Sequence, residues 1–215
     1  MLVALAFVPS PPLLLHALGG GPEDLRFACL QAISVLDGLD RIVVVGAAPT
    51  EGWVTGSIDA TPYGAPGIPA PDGLPLALAV GSTLLGDRPH DLYGVAGGTL
   101  PELAGRTGLL VVADGSARRT EKAPGHLDDR AEGFDAQVEK ALAAGDPELL
   151  KALDVNLAEA LLVGGMTAWR AAGAAAAKEV RADGGAPAGW SGQVHLAAAP
   201  YGVGYLVASW TPRRS

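Results

Sequence analysis

Three short runs of this chain are apolar without alternation apart from one end residue each in the last two, Arg41 and Asp114: LVALAFV at 2–8, RIVVVGA at 41–47 and GLLVVAD at 108–114. A strand with one wet face alternates apolar and polar side chains, whereas an unbroken run needs cover on both faces. Strands of this kind belong to a sheet held between helices. The intervening segments supply them. Leu25, Cys29, Ala32, Ile33 and Leu36 recur at helical spacing behind Pro22, Glu23 and Asp24, residues that suit a helix start. LPLALAVGSTLL (74–85) reads as a second helix, and Phe134, Val138, Ala141 and Leu142 mark the apolar face of a third. PELLKALD and NLAEALLV read as short helices and MTAWRAAGAAAAKEV as a longer one, while LYGVA reads as a short strand. Near the C-terminus QVHLAAA and GVGYLVASW are strands joined by PYG, close enough for an antiparallel pair. The expected class is α/β: a three-layer, doubly wound mixed sheet with helices on both faces, in a single domain over 1–215. Residues 48–73, rich in Gly, Pro, Thr and Asp, form a long loop, and loops of that length are often functional.

Composition narrows the function classes. With 215 residues, 49% of them hydrophobic and 18% charged, the chain can bury a sizeable core. A net charge of −8 argues for no nucleic acid partner, since phosphate binding needs a basic stripe. The one local basic spot, Arg118–Arg119, is balanced by Glu121, Asp128 and Asp129. The single cysteine, Cys29, excludes an intrachain disulfide and a Cys-rich zinc module, and on its apolar stripe it reads as a buried, inert thiol. The N-terminal run lacks a basic region and a small-residue cleavage site, so it reads as a strand and not as a signal peptide. No apolar stretch reaches the roughly 18–20 residues of a membrane span. The expectations are therefore a cytoplasmic protein with a small-molecule ligand and no membrane partner. A homodimer is the default assembly, because the open C-terminal strand pair invites pairing between chains.

Ligands gather at the carboxyl ends of strands in open α/β sheets. Three strand exits carry unusual residues: PSPPLLLH, GAAPTEGW and DGSARRTEKAPGH. They converge if their strands are parallel neighbours. Asp114 ends a buried strand, a place equally suited to a functional carboxylate and to a turn-capping one. Ser116 lacks the G-x-S-x-G context of a hydrolase nucleophile. His126 lies beside Asp128 and Asp129, where proton or metal chemistry is conceivable, although a hydrogen-bonded loop histidine is the commoner case. His16, His90 and His195 read first as loop or strand residues. Arg118 and Arg119 can pair with Glu121 and Asp128, and one of them can clamp a carboxylate. Asp114, Ser116 and His126 are the catalytic candidates; Ser10, Glu51 and Arg118 are the substrate-binding ones; His16 and Asp114 are the metal candidates.

The run from MLVALAFVPSPPLL through RIVVVGAAP and GLPLALAVG to APYGVGYLVASW, with VADGSARRTEKAPGHLDDRAEGFDA as its most specific block, resembles a known family. It is similar to the class III extradiol ring-cleavage dioxygenases, in the actinobacterial branch close to the catalytic B subunit of protocatechuate dioxygenase (LigB-like). The resemblance implies a doubly wound α/β fold and a mononuclear non-haem Fe(II) held by two histidines and a glutamate, with a further histidine as acid/base. Such a facial set leaves positions open for a catecholate and O₂. Position by position, Ser10 stands where the first histidine ligand would, GAAPTEG offers no second, and Ala117 replaces the acid/base histidine. The ligand glutamate has no clear counterpart, since Glu179 falls on a helix.

Three readings follow. The first is a superfamily member without the iron site that keeps its pocket for a small molecule or an unidentified activity. The second is a dioxygenase acting on a catechol-type substrate with Fe(II) or another divalent metal held by substituted ligands, His16, Asp114, Glu51 or His126 among them. The third is an oligomeric interaction protein. No cofactor follows from the residues alone.

Overall fold

The computed structural model describes residues 1–181 and 189–213. Its sheet has seven strands: β1 (Leu2–Val8), β2 (Arg41–Ala47), β3 (Gly52–Val54), β4 (Asp91–Val95), β5 (Thr107–Val112), β6 (Trp190–Ala198) and β7 (Tyr205–Pro212). They lie in the order β3-β4-β2-β5-β1-β7-β6. The central four, β4, β2, β5 and β1, are parallel; β3 runs antiparallel to β4, β7 to β1, and β6 to β7. The helices are α1 (Glu23–Ile33), α2 (Leu76–Leu85), α3 (Arg130–Ala144), α4 (Pro147–Lys151), α5 (Val155–Ala160) and α6 (Met166–Arg181).

The unbroken apolar runs are explained by what covers them. Leu5 and Phe7 of β1 join one buried cluster with Phe134 and Val138 of α3 and Trp169 of α6. Ala4, Ala6 and Val8, on the opposite face, join a second with Cys29 of α1 and Leu78 of α2. Both faces of the strand are dry, so neither can carry polar side chains. Trp210 packs edge-on to Phe7 at 5.1 Å and donates its indole N–H to Leu142 O at 2.7 Å; Trp190 donates to Ala176 O at 3.1 Å. The buried indoles thereby satisfy their one polar atom.

Local differences from the expected pattern have physical causes. The helical stripe ends at Ile33, and Leu36 reaches the core from a short 3₁₀ turn at Ser34–Leu36. Residues 48–73 are not all loop: β3 pairs with β4, and Ser57 bridges Gly73 to close a smaller loop. Asp59 braces that loop, accepting from Thr61 N at 2.8 Å and Ala70 N at 3.0 Å. His195 sits where β6 shifts register against β7 and pairs through Nε2 with Ser209 Oγ at 2.9 Å. No helix among the described residues is long and apolar enough to cross a membrane.

Candidate functional site at the junction of β1 and β5

β1 and β5 are parallel neighbours, but their chains leave in opposite directions. The segment after β1 leads to α1 on one face of the sheet, and the segment after β5 leads to α3 on the other. Beyond the carboxyl ends of two adjacent strands whose exits diverge in this way is the place where α/β sheets bind ligands. Ser10 and Asp114 stand there. Ala113 N still donates to Val8 O at 2.8 Å, and the chains separate immediately beyond that rung.

Asp114 is gripped from β1. Ser10 N donates to Oδ1 at 2.8 Å and Ser10 Oγ to Oδ2 at 2.5 Å. Burial pushes the Asp114 carboxyl above its ordinary value, outweighing the two hydrogen bonds from Ser10 that pull it down. Tyr205, at the start of β7 on the far side of β1, has its phenol pushed up to about 12 by burial, then by the charges of Asp114 and Tyr201. Three successive strand ends thus carry a carboxyl, a hydroxyl and a neutral phenol. The turn after α5 closes over them: Gly165 N donates to Asp114 O at 2.8 Å, and a Cβ on Gly165 would stand 2.5 Å from that of Ala113. Only glycine allows that approach.

The loop after Asp114 is tied down along its length. Gly115 N donates to Gly204 O at 2.7 Å, Gly204 N to Ser116 O at 2.8 Å and Arg119 N to Gly202 O at 3.0 Å, so the loop pairs with the β6–β7 connection. Ser116 is buried; its hydroxyl donates to Leu161 O at 3.1 Å and accepts from Arg118 N at 3.1 Å. That hydroxyl is a structural tie and has no base beside it. Beneath the loop lies Asp135 of α3, only 3% exposed, which accepts from Ser116 N at 2.8 Å and Arg119 Nη1 at 3.0 Å. Burial raises its carboxyl despite those partners. Arg119, Asp135 and Tyr205 line a cavity of about 220 Å³ alongside Gly204.

The ion pairs differ from those the sequence suggests. Arg119 engages Asp135 and Glu132, not Glu121 or Asp128. Asp128 is taken by Arg130 through two contacts at 2.9 and 2.7 Å, which hold its carboxyl at about 2. Arg118 makes no side-chain hydrogen bond or ion pair with any described residue, and its Nε is buried without a partner among them. Glu51 accepts from Gly97 N at 2.9 Å and from the hydroxyl of Thr99, bracing the chain after β4; its bonds go there and not to Ser10 or Asp114. Thr99 and Gly97 hold its carboxyl below the ordinary range. His16 is exposed at the head of a 3₁₀ turn. His126 is exposed with its backbone at φ 58°, its Nδ1 3.2 Å from Glu121 O.

Among the described residues no three His, Cys, Asp or Glu side chains gather as a metal-binding group. Ser10 and Ala117, the positions at which the resemblance would put histidines, offer no ligand nitrogen, and Ser10 engages both Asp114 oxygens, so the residues present do not fit a two-histidine, one-carboxylate iron site. Asp135 and Tyr205 were not among the sequence candidates. Asp135 left a trace: it is the one acidic residue among the buried positions of α3, beside Phe134 and Val138. Tyr205 left none, since an aromatic in a strand reads as core.

No protein family model matches the chain, and no curated protein matches it.

Proposed function

We propose that this chain is a small-molecule-binding protein with the three-layer, doubly wound fold of the class III extradiol dioxygenases, lacking their iron ligands and binding its ligand beyond the carboxyl ends of β1 and β5. The observation that carries this reading is the Ser10–Asp114 pair at the point where the two parallel strands diverge. A carboxyl pushed upward by its surroundings, fixed by a serine and flanked by a neutral tyrosine, presents donors and acceptors in a set orientation. That suits recognition of hydroxyl or carbonyl groups on a small, partly apolar molecule. It also leaves Asp114 able to hold or release a proton, the chemistry Ala117 no longer supplies.

The test is a binding screen of the full chain against catechol and small aromatic acids, followed by backbone amide shifts at Ser10, Asp114 and Gly165. Ligands that move these three amides and lose affinity in Asp114→Asn support the reading. Ligands that move only remote amides overturn it. Elemental analysis with anaerobic Fe(II) addition runs in parallel. Near-stoichiometric metal that falls on replacing His16 or Asp114 would restore the dioxygenase reading, with an O₂-uptake screen on catechols to follow.

A further inference from the structure

Resting on that reading, we infer that the ligand carries a carboxylate and that Arg118, not Arg119, receives it. The two arginines are adjacent in the chain and opposite in circumstance. Arg119 is already neutralised, its Nη1 3.0 Å from Asp135 and its Nη2 3.4 Å from Glu132. Arg118 forms no ion pair and no side-chain hydrogen bond with any described residue. Its Nε is buried, and it is the one such side-chain polar atom without a partner among the described residues, while the terminal nitrogens of this partly exposed residue reach solvent. A buried donor left unpaired in a native protein calls for an explanation, and an acceptor supplied by a ligand is one.

The side chain is also held in place. A Cβ on Gly125 would lie 2.8 Å from Arg118 Cγ, 3.0 Å from its Nε and 2.6 Å from Leu162 Cδ1, so the arginine stem and Leu162 both pack into the space this glycine leaves. Leu162 (φ 54°) and the neighbour of Gly125, His126 (φ 58°), are the two non-glycine residues with left-handed backbone among the described residues. Strain of this sort persists where surrounding structure imposes it, and it concentrates at ligand clamps. Backbone bonds from Gly125 N to Ala117 O and from Asp128 N to Arg118 O, both 3.0 Å, fix the arginine from either side.

Strain and packing in the loop therefore orient a guanidinium that bonds to none of the described residues. Arg118 stands four residues beyond Asp114, and the turn that covers Asp114 through Gly165 is the one that packs on Gly125 through Leu162. A planar, singly charged carboxylate matches the arginine fork. A phosphate would bring a second negative charge near Asp128, whose carboxylate already feels Arg118.

The experiment titrates the full-length ¹⁵N-labelled chain with benzoate, benzamide and phenyl phosphate, following the Arg118 Nε–H resonance and the amides of Ser10, Asp114 and Gly165. Benzoate is expected to move the Nε–H signal and to bind at least about tenfold more weakly to Arg118→Met. Arg118→Lys, which keeps the charge and most of the stem but loses the fork, is expected to weaken it as well. Benzamide binding as tightly as benzoate, or benzoate binding unchanged in both variants, overturns the carboxylate assignment. So does tighter binding of phenyl phosphate. In those cases continued movement of the Ser10 and Asp114 amides leaves the ligand site standing. If catechol and all three probes leave those amides still, both readings fall.

Discussion

Ser10 meets both oxygens of Asp114, its backbone N–H at 2.8 Å from Oδ1 and its hydroxyl at 2.5 Å from Oδ2, across the gap between two parallel strands. The contact spans 104 residues of sequence. It ties the exits of β1 and β5 together where they would otherwise splay.

The pH dependence of that tie has a definite sign. Burial raises the Asp114 carboxyl, so the folded state holds its proton more tightly than the unfolded state. The resulting stabilisation is complete below the unfolded value of about 3.9 and is lost as pH rises through the raised folded value. Asp114→Asn has no such proton to lose. The melting temperature of Asp114→Asn minus that of the wild type is expected to grow from about pH 4 to about pH 8 in thermal denaturation scans. A difference that shrinks over that range would mean that the Ser10 hydrogen bonds outweigh burial.

Asp128 behaves oppositely. Arg130 depresses its carboxyl to about 2, so its contribution is present above the unfolded value and disappears as pH falls through about 2. Asp128→Asn is expected to melt below the wild type near neutral pH, with the gap closing in strongly acid buffer.

Two glycines should respond to alanine in opposite directions. At Gly165 a Cβ would meet Ala113 Cβ at 2.5 Å and Asp114 O at 2.8 Å, and Gly165→Ala is expected to lose about 1–3 kcal/mol in urea unfolding. At Gly133, exposed within α3, a Cβ meets nothing within 4 Å. Gly133→Ala is expected to gain roughly 0.5–1 kcal/mol through helix propensity.

Cys29 is buried and its thiol is pushed up to about 12, so little thiolate exists at neutral pH. A disulfide-exchange reagent such as Ellman's is expected to label it only after denaturant is added. Rapid labelling of the folded protein would place α1 away from the sheet.

Trp210 fills the junction of β1, β6 and α3, touching Phe7 and Trp190 and donating to Leu142 O. Trp210→Ala is expected to lose about 3–5 kcal/mol, read by urea unfolding.

Much of the frame is legible in one dimension because local pattern and tertiary burial agree. The runs 2–8 and 41–47 coincide with β1 and β2. The stripe through Phe134 and Leu142 coincides with α3. Residues 48–73 read as loop because β3 has only three residues, too few for a period-2 pattern to show. The site was legible only in part. The strand-exit rule named Ser10, Asp114, Arg118 and Glu51 as separate candidates; Ser10 and Asp114 meet, while the Glu51 carboxylate turns to Gly97 and Thr99. Side-chain direction at a strand exit depends on the next loop, which strand patterning does not encode.

The sequence by itself determined which segments must be buried, since an unbroken apolar run leaves no face for water, and that no intrachain disulfide forms, since there is one cysteine. Tertiary structure decided the pairings. That Ser10 holds Asp114, that Asp135 claims Arg119 and that Arg118 is left without a partner among the described residues are outcomes of strand order and of the α5–α6 turn folding over the loop. Hydrogen bonds and ion pairs act over a few ångströms, and only the folded chain brings residues so distant in sequence within that range.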